Sequence, residues 1–379
     1  MQPTPAPPTL SGSDKEMLDR FQGQYKLLKE QIHRVIVGQE TIIELLLLAL
    51  FARGHVLLIG VPGLGKTLLI KTLAGVLGWK FRRIQFTPDM MPSDITGTEI
   101  LQTDPATGER KLHFVRGPVF ANLILADEIN RTPPKTQAAL LESMQEYTVT
   151  AGGQTYPLEL PFLVAATQNP IEHEGTYPLP EAQLDRFMFS LEINYPERND
   201  EIHMVEETTA HDYAQVQPVM SRDEVMRYQE FIRRIPVARH VLEYAVDLAQ
   251  ASRPTDGQAF INDYVEWGAG PRASQYLILG AKALALIRGL PAPSCAEIRE
   301  VAISVMRHRV IPNYNAMGKN VTSRMIVEHL LASVPERDYA GNLKPLAAVF
   351  PKLQAKPAAK PAAETKITKF LEIRKKSAE

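Results

Sequence analysis

The sequence has a single cysteine, Cys295, among 379 residues. One cysteine excludes an intrachain disulfide framework and any metal site built from several cysteines. An excess of one charge is also lacking, since the formal net charge is −1 at pH 7 and the isoelectric point is about 6.8. Net charge alone is therefore not expected to recruit nucleic acid or an anionic membrane. We expect a cytoplasmic protein in a reducing environment that recognises its partners through local surfaces.

Long apolar runs are missing too. The longest, residues 42–52, contains Glu44 and is shorter than the roughly 20 residues that a membrane-spanning helix needs, so it predicts a buried helix and no membrane span. The start of the chain, Met-Gln-Pro-Thr-Pro-Ala-Pro-Pro, lacks the basic and apolar regions of a signal peptide. We expect residues 1–12 to form a disordered proline-rich arm.

Four short apolar runs without polar alternation predict strands that are covered on both faces. These runs are residues 55–60, 81–86, 123–126 and 162–166. Helical or loop stretches separate them, which is typical of an α/β fold with a doubly wound parallel sheet. Two further stretches, residues 97–117 and 147–160, carry turn signals at their centres and predict β-hairpin inserts.

Helical patterns replace the strand signals after Ser221, as in residues 273–288, which end before Gly289. The sequence thus predicts an α/β domain over residues 13–200 and a smaller all-α domain over residues 220–335. Beyond Phe350, residues 351–379 contain eight Lys or Arg against three Glu. This Lys/Pro/Ala-rich tail is too polar to build a core, although its last apolar residues could form a short docking helix.

The segment after the first predicted strand matches the template of a phosphate-binding loop in full. Backbone N–H groups of such a loop wrap phosphates at the start of a helix, the lysine reaches the outer phosphates and the hydroxyl binds Mg²⁺. The bland alternative, a glycine-rich turn, does not account for both the preceding strand and the following helix. The predicted nucleotide-contacting residues are Gly60, Pro62, Gly63, Leu64, Gly65, Lys66, Thr67 and Leu68.

Two carboxylates, Asp127 and Glu128, end the apolar strand that begins at Leu123. Open α/β sheets bind their ligands at this edge. Asp127 is expected to hold Mg²⁺ together with Thr67, and Glu128 to orient and deprotonate the attacking water. The alternative is a solvated acidic strand end.

Asn169 follows the apolar strand of residues 162–166, and Arg186 precedes another apolar strand. Asn169 would lie beside Glu128 if their strands are neighbours, and could then position the water. It could equally start the Asn-Pro turn. Arg186 could project from the surface and supply its charge to the phosphate of a neighbouring subunit, or it could simply contact Asp185.

Arg272 opens the predicted helix of residues 273–288, where a cation opposes the helix dipole and so needs an anionic partner. A phosphate of ATP bound against the first domain is one candidate, and a structural carboxylate is the other. Arg131, in a stretch with two prolines, is a weaker candidate for contact with a neighbouring subunit.

Seven ordered motifs together resemble the MoxR branch of the AAA+ superfamily over roughly residues 15–335. They are residues 35–40 (VIVGQE), 54–67 (GHVLL and the phosphate loop), 125–131 (LADEINR), 136–142 (TQAALLE), 166–170 (ATQNP), 179–187 (LPEAQLDRF) and 270–273 (GPRA).

This resemblance implies a P-loop AAA+ ATPase with a helical lid and two hairpin inserts. It implies that Lys66, Asn169, Arg186 and Arg272 act with Glu128 in hydrolysis, as the phosphate-loop lysine, first sensor, arginine finger and second sensor. Val37 and Gly38 would lie near adenine. The family is thought to form hexameric rings that act as chaperone-like ATPases, using ATP and Mg²⁺, often with a partner that has a von Willebrand factor A domain.

Three other functions share part of this pattern. A nucleotide-dependent scaffold would turn over rarely, which the intact Lys66, Asp127 and Glu128 disfavour. A nucleic-acid motor would need basic hairpins, and residues 97–117 mix four basic side chains, counting His113, with three acidic ones. The motor subunit of a metal-chelatase-like complex remains an alternative to a remodeller of protein clients.

Overall fold

A computed structural model describes residues 12–103, 110–171, 175–209, 215–255 and 259–336. The predicted arm of residues 1–12 (apart from Gly12), the turn of the first insert and the basic tail lie outside these ranges. Within the described residues, no helix is both long and apolar enough to cross a membrane.

The first domain alternates strands with helices. In chain order its elements are α1 (Gly12–His33), α2 (Glu40–Phe51), β1 (Val56–Ile59), α3 (Lys66–Leu77), β2 (Phe81–Gln85), α4 (Pro92–Thr96), β3 (Gly97–Thr103), β4 (Arg110–Arg116), β5 (Leu123–Asp127), α5 (Pro134–Glu146), β6 (Thr148–Ala151), β7 (Gln154–Pro157), β8 (Leu163–Gln168), α6 (Glu181–Leu184), β9 (Phe189–Glu192) and α7 (Arg198–Thr209).

Five of these strands form one parallel sheet in the order β2-β5-β8-β1-β9. The three central strands are buried along most of their length, because helices cover both faces of the sheet. This confirms the doubly wound α/β architecture. Since all five strands are parallel, the carboxyl ends of β1, β5 and β8 lie on the same side of the sheet, called here the carboxyl edge. The side where the strands begin is called the amino edge.

Two antiparallel hairpins project from this domain, β3–β4 and β6–β7, as the turn signals predict. They contact each other: the rings of Phe114 and Tyr156 stack with centroids 4.3 Å apart. A Cβ atom on Gly152, at the turn of the second hairpin, would lie 2.1 Å from the Glu99 carboxylate. Gly152 has φ of +56°, which favours glycine at this turn, and the turn lies against the side chain of Glu99 on the first hairpin.

The second domain, called the lid, is mainly helical. Its elements are α8 (Arg222–Arg234), α9 (Arg239–Ala251), α10 (Ala259–Tyr264), β10 (Val265–Trp267), α11 (Pro271–Ile287), α12 (Cys295–Met306), β11 (Ile311–Pro312), α13 (Tyr314–Gly318) and α14 (Ser323–Ser333). The short antiparallel ribbon β10–β11 is an addition to the all-α lid that the sequence predicts. Three residues of strand are too few to produce a readable alternation.

The N-terminal helix α1 joins the two domains into one apolar core. Phe21 packs edge-to-face on Phe51 of α2 and on Tyr228 of α8, with ring centroids 4.9 Å apart in both pairs. All three rings are fully buried, and buried aromatic pairs contribute beyond their area alone. The lid also contacts the edge strand β9 through α12.

Candidate functional site

The loop between β1 and α3 has the conformation that a phosphate-binding loop needs. Gly63 and Gly65 have φ of +87° and +72°, a backbone region that side chains disfavour. A Cβ atom on either residue would meet no heavy atom within 4 Å. The requirement at these two positions is thus backbone conformation, as in loops whose N–H groups bind a phosphate at the start of a helix.

Lys66, the first residue of α3, folds back over this loop. Its ammonium donates to the carbonyl oxygens of Gly60 and Val61, at 2.5 and 3.0 Å. Burial lowers the pKa of Lys66, and the negative charges of Asp127 and Glu128 oppose that shift. Thr67 lies one residue further along the helix and is partly buried. Pro62, Leu64 and Leu68 surround the same turn.

Asp127 and Glu128 end β5 at the carboxyl edge, as predicted. The Asp127 carboxylate is largely buried; its Oδ1 accepts from the Thr167 hydroxyl at 2.6 Å. The same hydroxyl accepts from the backbone N–H of Glu128 at 2.8 Å. Glu128 has φ of +57°, a strained conformation for a side-chain-bearing residue. The carboxylate of Glu128 contacts Gln85 at 2.7 Å and Arg131 at 3.1 Å.

Asn169 directly follows β8, the strand paired with β5. The two strand ends are therefore neighbours, which is the condition for Asn169 to act beside Glu128. Asn169 is also buried, and its Oδ1 accepts from the N–H of Ile171 at 3.2 Å. The side chain thus starts the turn at Pro170. From this same position Asn169 could also act beside Glu128, which is the other role that the sequence left open.

The donor atoms at this edge suit magnesium. The Thr67 hydroxyl and the Asp127 carboxylate are hard oxygen donors, and Mg²⁺ in nucleotide sites takes few protein ligands beside phosphate oxygens. Among the described residues there is no group of three or more His, Cys, Asp or Glu side chains placed to hold a metal ion. The oxygen atoms of Thr67 and Asp127 thus fit Mg²⁺ bound together with a nucleotide.

A cleft of about 500 Å³ lies between the start of α2, the end of β9 and the lid, a volume typical of ligand sites. It adjoins the phosphate loop, because a Cβ on Gly60 would lie 2.8 Å from the carbonyl oxygen of Ile193. Gly38 borders it, since a Cβ on Gly38 would lie 2.6 Å from Oδ2 of Asp200, which lines the cleft. Val37 directly precedes Gly38 in the chain. A cleft of ligand size thus lies beside the phosphate loop.

Two residues that line this cleft each carry a buried polar atom without a partner among the described residues. Gln39 Oε1 and Ser190 Oγ have no hydrogen-bond partner within the part of the chain that the structure describes. Buried polar groups are rarely left unpaired. The lid contributes Arg307, which forms an ion pair with Glu192 and thereby lowers the pKa of that carboxyl. Gln39 belongs to the motif of residues 35–40, whereas Ser190 and Arg307 lie in segments without a motif, far apart in the chain.

Arg186 lies at the opposite edge of the sheet from the phosphate loop. It precedes β9 by a few residues, and β9 runs parallel to β1 with Ile59 opposite Glu192. Strands of this length span roughly 13 Å, so Arg186 is at their amino end and Lys66 beyond their carboxyl end. The Arg186 guanidinium donates to the carbonyl oxygen of Leu141 at 2.7 Å. Its neighbour Asp185 pairs with other arginines.

Arg272 joins Arg186 at this amino edge. It donates to Asp185 Oδ2 at 3.0 Å, so its partner is a carboxylate, the second of the two anions that the sequence allows. The other candidate partner, a phosphate of ATP bound against the first domain, stays a prediction. The lid places the start of α11 beside α6 and not beside the phosphate loop, and strand order and lid placement are not readable from local sequence.

Asp185, Arg186 and Arg272, called here the amino-edge cluster, are held in place by Arg309. This buried side chain donates to Asp185 Oδ1 at 2.7 Å and to the carbonyl oxygens of Asp185 and Phe187 at 2.8 and 2.5 Å. The hydroxyl of Tyr276 donates to the carbonyl oxygen of Arg186 at 3.3 Å. Arg309 thus fixes the backbone from which Arg186 projects.

Replacing Arg309 by methionine is expected to lower the free energy of unfolding by about 3 kcal/mol, because several buried acceptors lose their donor. Urea unfolding followed by circular dichroism measures the loss. Arg239→Met is the matched control, since Arg239 forms an exposed pair with Glu243 that is expected to contribute below about 1 kcal/mol. Equal losses in the two variants would contradict the structural role of Arg309.

A phosphate loop, an acidic strand end and a polar residue on the next strand, all beneath a helical lid, define a P-loop nucleotide-binding ATPase fold. Comparison with known proteins agrees. Residues 55–189 match the model of the ATPase family associated with various cellular activities (AAA), and residues 258–330 match that of the AAA lid domain.

Comparison with individual proteins identifies the family within this class of ATPases. The chain is 42% identical over 306 residues to Chaperone MoxR1 of Mycobacterium tuberculosis, covering 80% of each chain. It is 32% identical over 313 residues to Protein MoxR of Methylorubrum extorquens, covering 78% of this chain and 89% of that one. It also resembles the crystal structure of an ATPase candidate from Cytophaga hutchinsonii, with a TM-score of 0.79, 40% identity and 88% and 98% coverage. The chain belongs to the MoxR family of AAA+ ATPases.

Proposed function

We propose that copies of this chain assemble into a ring, a hexamer by family resemblance, and hydrolyse ATP to ADP and phosphate at the interfaces between them. The observation that carries this proposal is the separation of the charged groups. Lys66, Asp127 and Glu128 lie at the carboxyl edge of the sheet, whereas Arg186 and Arg272 lie at the amino edge. A site that uses both sets needs two copies of the chain in head-to-tail contact, which closes into a ring when the rotation permits.

Each residue then has a distinct task. The phosphate loop and Lys66 bind the phosphates, and Thr67 and Asp127 hold Mg²⁺, which supplies neutralising charge to the phosphate oxygens. Glu128 takes a proton from the water as the water oxygen attacks the terminal phosphorus and ADP leaves. Asn169 positions that water. Arg186 and Arg272 of the next subunit neutralise charge on the transferring phosphoryl group.

The two hairpins are the proposed contact with protein clients. Ile100, Leu101, Leu112 and Val115 on the first hairpin are exposed apolar side chains, which favours polypeptide over phosphate backbones as the surface that it meets. A relative is named a chaperone, which supports a remodelling or maturation role. A partner in trans, such as a protein with a von Willebrand factor A domain, remains part of the proposal, as does a cytoplasmic location.

The test is the rate of phosphate release per subunit as a function of protein concentration, with mass measured by light scattering in the presence of MgATP. Specific activity is expected to rise with concentration as assemblies form, because each site needs a neighbour. Lys66→Ala serves as the control without phosphate binding. A constant specific activity from a monomer would refute the shared site.

A further inference from the structure

Arg83, on the edge strand β2, lies across the acidic end of β5. Its Nε and Nη2 both donate to Asp127 Oδ2, at 3.0 and 2.6 Å. A carboxylate oxygen accepts about two hydrogen bonds, so Oδ2 is saturated. The other oxygen, Oδ1, is engaged by Thr167 at 2.6 Å. The carboxylate assigned to Mg²⁺ is therefore already neutralised by a cation of the chain itself.

The side chains of the two partners in this ion pair differ in solvent exposure. The side chain of Arg83 is 49% exposed, whereas that of Asp127 is 12% exposed. A half-exposed arginine can leave for solvent with little loss of packing, while Asp127 is held by the sheet and by Thr167. Because a second cation at Asp127 would repel Arg83 at close range, the arginine is the partner that moves.

Displacement of Arg83 would also affect the carboxylate of Glu128, through Gln85. Arg83 Nη2 also donates to Gln85 Oε1 at 2.6 Å, and Gln85 Nε2 donates to Glu128 Oε2 at 2.7 Å. Side chains two positions apart on a strand lie on the same face, which is why β2 presents both Arg83 and Gln85 to the end of β5. The position of Glu128 thus depends on the same arginine.

We infer that Arg83 is a positioning residue that competes with Mg²⁺ for Asp127, so that binding of the metal with its nucleotide displaces the guanidinium and frees Gln85 and Glu128. This inference rests on the proposed function, since it takes Asp127 as the metal-holding carboxylate. Arg83 sets how much Mg²⁺ the site needs and does not itself contact the reacting atoms.

The experiment measures nucleotide binding and not turnover. Binding of fluorescent mant-ADP is titrated with Mg²⁺ in the full-length wild type and in Arg83→Gln. The variant is expected to reach half of the Mg²⁺-dependent gain in affinity at an about five-fold lower Mg²⁺ concentration, as for removal of a half-exposed charged competitor. Without Mg²⁺ it is expected to bind mant-ADP more weakly than the wild type, because the charge of Asp127 is then unopposed.

Two further variants separate competition from a merely structural role. Arg83→Lys keeps the charge with fewer fixed donors and is expected to fall between the wild type and Arg83→Gln. Arg82 is an exposed arginine on the other face of β2. The Arg82→Gln variant is expected to have the same Mg²⁺ midpoint as the wild type. An unchanged Mg²⁺ midpoint in a folded Arg83→Gln would overturn the inference. Failure of the wild type to bind mant-ADP with Mg²⁺ would instead refute the proposed function.

Discussion

Replacing Glu128 by glutamine is expected to lower ATP turnover by about two orders of magnitude or more while leaving ATP binding and assembly intact. Glutamine keeps the shape of the side chain but cannot take a proton, and positioned general bases contribute on this scale. The N–H of Glu128 is held by Thr167 in a left-handed conformation, so the backbone aims the side chain independently of its charge. Phosphate release at saturating MgATP, with ATP binding measured in parallel, checks this result.

Glu206→Gln is the control for Glu128→Gln, because Glu206 is an exposed carboxylate on α7 and its replacement should leave turnover unchanged. If Glu128→Gln kept more than about a tenth of wild-type turnover, a loss of that size would be too small for a general base. Glu128 would then be a structural partner of Gln85 and Arg131 only, and another group would have to activate the water.

Replacing Arg186 by alanine is expected to lower turnover by about three orders of magnitude, the effect of removing an arginine finger, with little change in ATP affinity. The reason is its position: Arg186 is at the amino edge of the sheet and cannot reach the phosphate loop of its own chain. The loss should therefore appear in turnover by assembled protein and not in nucleotide binding by isolated subunits. Turnover and ATP affinity are measured on the same preparations.

Arg186→Lys and Arg239→Ala are the controls. Lysine keeps the charge without the planar fork of donors and should restore only part of the activity. Arg239 is exposed on α9, and its loss should leave turnover unchanged. Because Arg186 also donates to Leu141, thermal midpoints must accompany the rates. A folded Arg186→Ala protein that turns over normally as a monomer would contradict the shared-site proposal.

The parts of the site that the sequence could predict are those written in contiguous residues. A buried parallel strand is a continuous apolar run, so β1 and β5 were readable, and the phosphate loop and the Asp127–Glu128 pair follow their carboxyl ends directly. The same holds for the hairpins, because their turn signals lie between short strand patterns. In these segments local propensity and tertiary environment agree.

The parts that could not be predicted depend on contacts between distant segments. Arg272 pairs with Asp185 because the lid sets α11 beside α6, and no local pattern encodes that placement. Arg83 faces Asp127 because β2 is the sheet neighbour of β5, and strand order is not visible in a single sequence. The cleft beside the phosphate loop takes Gln39, Ser190 and Arg307 from three separate regions of the chain.

The central claim is that each catalytic site is built from two copies of the chain, and mixing two inactive variants tests it most directly. Lys66→Ala cannot bind phosphates, and Arg186→Ala cannot supply its neighbour, so each alone should be inactive. Mixed before assembly in equal amounts, they should recover roughly a quarter of wild-type turnover, because that share of head-to-tail interfaces pairs an intact loop with an intact arginine. A mixture that co-assembles yet stays inactive would contradict the shared site.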